Sequence, residues 1–211
     1  MDAVDVAALS GFWAAASGLE RVRLEDGDGK LVGPTPEHTV WVNRVPEPKT
    51  VKHRVHLDVY GRSVADFEAL GARQVRELPQ WTVMRDVEGG EFCVFPRADP
   101  PRDRIHGLVV DSVDPRAQAV WWAEVYGAEV VHREGWSTVE HVPGMPILTF
   151  DFVRVPEPKT VKNRVHWDVY ADPDALVAAG ARVLRGREDG LRWTVMADPE
   201  GNEFCAFTPV P

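Results

Sequence analysis

Along this chain the spacing of apolar positions switches between two periods, and each switch marks an element. Ile105 to Asp111 is apolar and rich in β-branched residues, which predicts a strand. Asp114-Pro115 then offers a capping carboxylate followed by proline in the first helical turn, and the pattern predicts a helix to Tyr126 that Gly127 stops. Strand-like runs follow at Ala128 to His132, Trp136 to His141 and Ile147 to Val153. The order is β-α-β-β-β. After a polar connector it returns, with a strand over Arg164 to Tyr170, a helix over Pro173 to Ala179, and strands at Ala181 to Leu184, Leu191 to Met196 and Glu203 to Phe207. The last two are joined by the turn ADPEGN.

The same grammar occurs twice. Arg44 to Tyr60 reads RVPEPKTVKHRVHLDVY and Arg154 to Tyr170 reads RVPEPKTVKNRVHWDVY, differing only at His53/Asn163 and Leu57/Trp167. GARQV is answered by GARVL, WTVMRDVEGGEFCVF by WTVMADPEGNEFCAF, and FWAAASG by WWAEVYG. From His56 to His166 is 110 residues, a domain-sized period rather than a solenoid one. Proline and charge in PRADPPRDR, Pro96 to Arg104, mark the linker, so the predicted domains are 1–97 and 104–211. In the first domain the helix, predicted over Val4 to Ser17, begins almost at Met1 and leaves the first strand missing. A misplaced start codon would give the same appearance. A sheet edge uncovered in this way invites pairing, and a homodimer is one expected outcome.

Composition narrows the classes of partner. Of 211 residues, 44% are hydrophobic and 27% charged, which fits a packed globular protein. A net charge of −9 and a pI near 5.3 disfavour nucleic acid as a partner, because a phosphate backbone needs a clustered basic face. Apolar stretches fall short of the roughly 20 residues that span a bilayer, so no membrane segment is expected. The start MDAVDVAALSGFWAAASG carries Asp2 and Asp5 where a secretory leader has basic residues, and a cytoplasmic location is the expectation. Cys93 and Cys205 occupy the same Glu-Phe-Cys context in the two repeats and read as buried free thiols rather than a disulfide.

The paired βαβββ pattern, the connector RVPEPKTVKNRVHWDV and the ending WTVMADPEGNEFCAF resemble the glyoxalase-like branch of the vicinal oxygen chelate superfamily over nearly the whole chain. That group includes glyoxalase I, bleomycin-resistance proteins and extradiol dioxygenases. The resemblance implies an α+β fold of tandem glyoxalase-like domains, each made of paired βαβββ modules forming curved half-barrel sheets around a cavity for a small molecule. It also implies a metal on residues from the first strand of each module and the last strand of the second. Transferred by position, the ligands in the second domain are His106, His166 and Glu203, with a degenerate equivalent in the first domain at His56 and Glu91. Two histidines and a carboxylate suit a divalent Fe, Mn, Ni or Zn and leave positions open for water and substrate.

Strand alternation puts Arg164, His166 and Asp168 on one face and Val165, Trp167 and Val169 on the other. On the polar face, a charge network of Arg164, Asp168 and Glu203 without metal remains an alternative, as does a role for Asp168 in orienting a histidine. Trp136 and Trp193 are the expected substrate-binding walls, with Arg164 and Asp168 beside them, whereas strand tryptophans such as Trp41, Trp81 and Trp167 read as core. Lys49, Lys52, Lys159 and Lys162 read as solvated or paired with nearby acids, and Glu140 and His141 lie near a strand end where a general base is conceivable. Two functions stay open: a metal-dependent lyase, isomerase or dioxygenase acting on a small oxygen-rich substrate, and a metal-free binding or sequestering protein of the bleomycin-resistance type.

Overall fold

The structure, a computed structural model, describes residues 1–187 and 191–208. The chain forms two compact units, one of Met1–Val109 with Gly144–Thr149 and the other of Val110–Pro143 with the chain from Phe150 onward. The last three residues of the second predicted domain lie outside the described residues.

The first unit contains β1 (Asp2–Ala3), α1 (Val6–Ser17), β2 (Glu20–Arg23), β3 (Gly29–Val32) and β4 (Val40–Arg44), then β5 (Val55–Gly61), α2 (Val64–Ala69), β6 (Arg73–Glu77), β7 (Thr82–Arg85) and β8 (Glu91–Pro96). The dividing line falls inside β9 (Ile105–Ser112), so Ile105 to Val109 belong to this unit. The second unit takes the rest of β9, α3 (Pro115–Tyr126), β10 (Glu129–His132), β11 (Trp136–Glu140) and β12 (Thr149–Arg154) from Phe150 on. It continues with β13 (Trp167–Tyr170), α4 (Pro173–Ala178), β14 (Arg182–Arg185), β15 (Thr194–Ala197) and β16 (Glu203–Phe207). The β-α-β-β-β order therefore occurs four times, two tandem repeats of two modules, and the fold is α+β as the sequence predicts. A strand does precede the first helix: Asp2 and Ala3 pair in parallel with Asn43 and Arg44. Among the described residues no helix is long and apolar enough to cross a membrane.

Each unit has its own core, built where helices pack on strands. In the first unit the strand order β5-β8-β7-β6 is extended by β9 on the far side of β5. The helix α1 starts where the Asp5 carboxylate accepts the Ala8 N–H at 2.9 Å and stops where Gly18 turns left-handed at φ 78°. Between these caps Val6, Leu9, Trp13 and Ala16, at helical spacing, are buried. Trp13 and Phe12 meet Phe92 of β8 edge-on with centroids 5.3 and 5.6 Å away, and Phe67 of α2 closes the cluster at 5.9 Å. Burial of each such ring contributes about 1.5–3 kcal/mol. In the second unit Trp122 of α3 takes the same part against Phe150, Trp167 and Phe204, with centroids 5.7, 5.1 and 5.0 Å apart.

Since Phe92 and Leu57 are committed to that core, alternation turns Glu91, Cys93 and Phe95 of β8 and His56, Asp58 and Tyr60 of β5 to the opposite face. The parallel register sets Asp58 opposite Cys93 and Tyr60 opposite Phe95. The second unit repeats this pairing with Asp168 opposite Cys205.

Two glutamates strap turns to helix starts. Glu88, in the turn before β8, accepts the N–H groups of Val4 and Asp5 at 3.2 and 2.6 Å. Glu200 does the same for Val113 and Asp114 at 3.0 and 2.8 Å, and takes the Ser112 hydroxyl at 2.8 Å. Negative charge at a helix N-terminus is the favourable sign.

Candidate metal centre

On the polar face of β5 and β8 three unlike donors converge. His56 Nε2 lies 3.6 Å from Cys93 Sγ and 3.6 Å from Asp58 Oδ1. Among the described residues, this is the one group of three or more His, Cys, Asp or Glu whose ligand atoms all lie within 4.8 Å of one another. Tetrahedral zinc, with bonds of about 2.0 Å to nitrogen and about 2.3 Å to sulfur, holds its ligand atoms about 3.5 Å apart. The observed spacing fits that size.

Electrostatics favour a metal ligand over a proton carrier at His56. Burial, with Lys52 and His53 adding to it, pushes the imidazole down to about 3, so the ring is neutral across ordinary pH. Its Nδ1 is buried without a hydrogen-bond partner. Burial and the Asp58 carboxylate push the Cys93 thiol up, which makes an unassisted thiolate nucleophile unfavourable. A buried carboxylate, thiol and neutral imidazole in contact form a set that a divalent cation would complete electrically, since two anionic ligands balance its charge.

Aromatic rings flank the centre. Tyr60 stacks on His106 at 4.0 Å, Phe95 meets the same imidazole edge-on at 4.7 Å, and Trp81 stacks on Phe95 at 5.6 Å. The Arg97 guanidinium covers the other face of Tyr60 at 3.9 Å. Burial and that nearby cation push His106 down to about 4, and its Nε2 is buried without a partner. Gly107 lets β9 approach: a Cβ there would come within 2.9 Å of Thr149 Oγ1 and 3.2 Å of Asp58 Cβ.

His106 belongs to the first unit, in the aromatic stack, while His166 and Glu203 belong to the second. Glu203 receives Lys159 Nζ at 2.6 Å on one oxygen and the Asn163 N–H at 3.1 Å on the other. Glu91 is matched to it: Lys49 and Arg85 reach one oxygen at 3.1 and 3.3 Å, and the His53 N–H reaches the other at 3.0 Å. Burial works against the charge of Glu91, but these donors more than offset it and hold the carboxyl below its usual range. Both glutamates thus tie the PEPK connector to the last strand, pairing Lys49 and Lys159 with acids.

Within the second unit, Arg164 and His166 lie just ahead of β13, and Cys205 hydrogen-bonds Asp168. Trp193 lies against Phe207 at 5.6 Å. Trp136 is exposed, with Arg133 5.8 Å above its ring, and Trp41 is exposed under Lys30 at 4.8 Å, so of the strand tryptophans read as core Trp167 alone is buried in one. Glu140 ends β11 and His141 follows in a left-handed turn at φ 55°. The residue that sequence reasoning passed over is Cys93. Its signal was present: Glu-Phe-Cys recurs wherever His-x-Asp does, and parallel register places the sulfur beside the aspartate both times.

The sequence model of the glyoxalase-like domain matches residues 1–95 and 107–207. No curated protein matches the chain in sequence. Among solved structures, glyoxalase I from Zea mays superposes with a TM-score of 0.69 at 14% identity, over 98% of this chain and 89% of that one. A candidate dioxygenase from Bacillus subtilis subsp. subtilis str. 168 superposes with a TM-score of 0.63 at 14% identity, over 100% of this chain and 83% of that one. At such identities the structural likeness speaks for the fold, and the match to both repeats settles the family: the chain belongs to the glyoxalase-like domain family.

Proposed function

We propose that the protein is a metal-dependent enzyme of the glyoxalase-like family acting on a small oxygen-rich substrate, with its centre on His56, Asp58 and Cys93. The observation that carries this is the convergence of imidazole, carboxylate and thiol from two neighbouring strands at ligand spacing. A divalent ion bound there supplies Lewis acidity toward the oxygens of a substrate. His56 offers a lone pair rather than a proton, because burial keeps it neutral. Tyr60, Phe95 and Trp81 present flat apolar surface beside the donors and limit water around them. The triad of His106, His166 and Glu203 is the weaker assignment, since both Glu203 oxygens already accept hydrogen bonds from Lys159 and Asn163.

A metal-free binding protein is the second reading, favoured by the aromatic stack around His106 and its unpartnered Nε2, which suit a planar ligand with a hydrogen-bonding edge. Elemental analysis of protein purified without added metal separates the two. About one ion per chain is expected; none, even after soaking with divalent salts, decides for the binder.

A further inference from the structure

The donor set of the proposed centre includes sulfur, and that has a chemical consequence separate from whether an ion binds. Oxygen-only sites accept Mg²⁺, Ca²⁺ and Mn²⁺, whereas thiolate selects softer or borderline ions. Cys93 Sγ lies 3.6 Å from His56 Nε2, and its own strand register holds it opposite Asp58. The cysteine is buried at 7% exposure, so neither bulk water nor a surface cation competes for it. The glutamate of the same unit that would make the site oxygen-rich, Glu91, is held elsewhere by Lys49, Arg85 and the His53 N–H.

Resting on the metal-centre reading above, we propose that the site selects thiophilic divalent ions of the zinc and cobalt class over Mg²⁺ and Mn²⁺, with the Cys93 sulfur as a direct ligand. The thiol gives up its proton to solvent as the ion enters, and the filled site, with one thiolate, one carboxylate and one imidazole around a dication, is electrically neutral. Three protein ligands leave a position for a substrate oxygen, the arrangement of open zinc sites rather than closed structural ones. The second unit carries His166, Asp168 and Cys205 in the same sequence positions, but they do not form a group of this kind among the described residues, so sulfur ligation is confined to Cys93.

Titration of the metal-free full chain with Co²⁺ tests this by absorbance. Expected are visible ligand-field bands together with a near-ultraviolet sulfur-to-cobalt charge-transfer band, neither displaced by a hundredfold excess of Mg²⁺ or Mn²⁺. Cys93→Ser removes the charge-transfer band, and Cys205→Ser retains it. Ligand-field bands without charge transfer in the unsubstituted protein, displacement by Mg²⁺, or loss of the band in Cys205→Ser instead would overturn sulfur-based selection while leaving the metal reading intact. Absence of any Co²⁺ binding would remove the metal reading itself. Should Cys93→Ser fail to fold, zinc-edge X-ray absorption of the unsubstituted protein decides: a sulfur scatterer at about 2.3 Å is expected, and a shell of nitrogen and oxygen alone overturns the proposal.

Discussion

One sequence, RVHxDVY, occurs in both units and is built in two ways. In the first unit β5 runs over Val55–Gly61, between β8 and β9. In the second, β13 runs over Trp167–Tyr170 only and stands at the end of its sheet order, with β16 on one side. A strand with neighbours on both edges satisfies its backbone groups in register along its whole length, and one with a single neighbour is held only where that neighbour reaches. His56 therefore sits inside a regular strand and His166 ahead of one. The tyrosines report the same difference. Tyr60 is enclosed between Arg97 and His106, while Tyr170 is 75% exposed. Among the described residues, the donor group lies on the copy of this strand that has neighbours on both edges.

The largest effect that would break this comparison is on ion affinity. His56→Ala is expected to weaken Zn²⁺ binding by more than the roughly hundredfold that loss of an outer hydrogen-bond partner brings, and His166→Ala to leave it nearly unchanged. Isothermal titration of both variants checks this, and equal losses would erase the distinction between the units.

A second, intermediate effect concerns the carboxylates beneath the turns. Asp86 accepts Trp13 Nε1 at 3.2 Å and Asp198 accepts Trp122 Nε1 at 3.3 Å, but Asp198 also takes the Gln118 amide and the Asn202 side chain at 3.0 Å, where the first unit has Leu9 and Gly90. Burial pushes Asp198 up to about 6. A raised carboxyl favours the protonated fold, so its contribution is complete below about pH 4 and is lost as pH rises through about 6. Stability from urea unfolding should fall by on the order of 2 kcal/mol between pH 4 and 7 on account of this residue. Asp198→Asn should flatten that slope, and Asp86→Asn should flatten it less.

The smallest expected effect distinguishes the tyrosines. Tyr60→Leu should cost about 1 kcal/mol through the lost stack, and Tyr170→Leu should stay within about 0.5 kcal/mol. Thermal melts of the pair would show whether β9 encloses one and not the other.

The fold was legible because its signals are local or verbatim. Asp114-Pro115 and Gly127 bracket α3 as capping chemistry requires, and the duplicated RVPEPKTVK connector announces the repeat. The site was legible only in part. His56 stood out as a strand histidine but was ranked below its copy, because the first helix starts so near Met1 that the strand expected to carry another ligand looked missing, and a two-residue strand pairing in parallel is too short to show in the pattern. Glu91 and Glu203 looked like ligands since their lysine partners are 42 and 44 residues away and reach them only in three dimensions. Cys93 looked inert because burial is what free cysteines usually seek, and burial is also what a sulfur ligand uses.

The position of the dividing line within β9 bears on how this gene can be cut. Sequence similarity invites scission in the proline-rich stretch near Pro100, yet a fragment ending there would forfeit His106, Gly107 and the outer neighbour of β5. Its leading half would keep every residue of the donor group and lose the strand that encloses them, so the heritable unit and the physical unit are offset by about one strand.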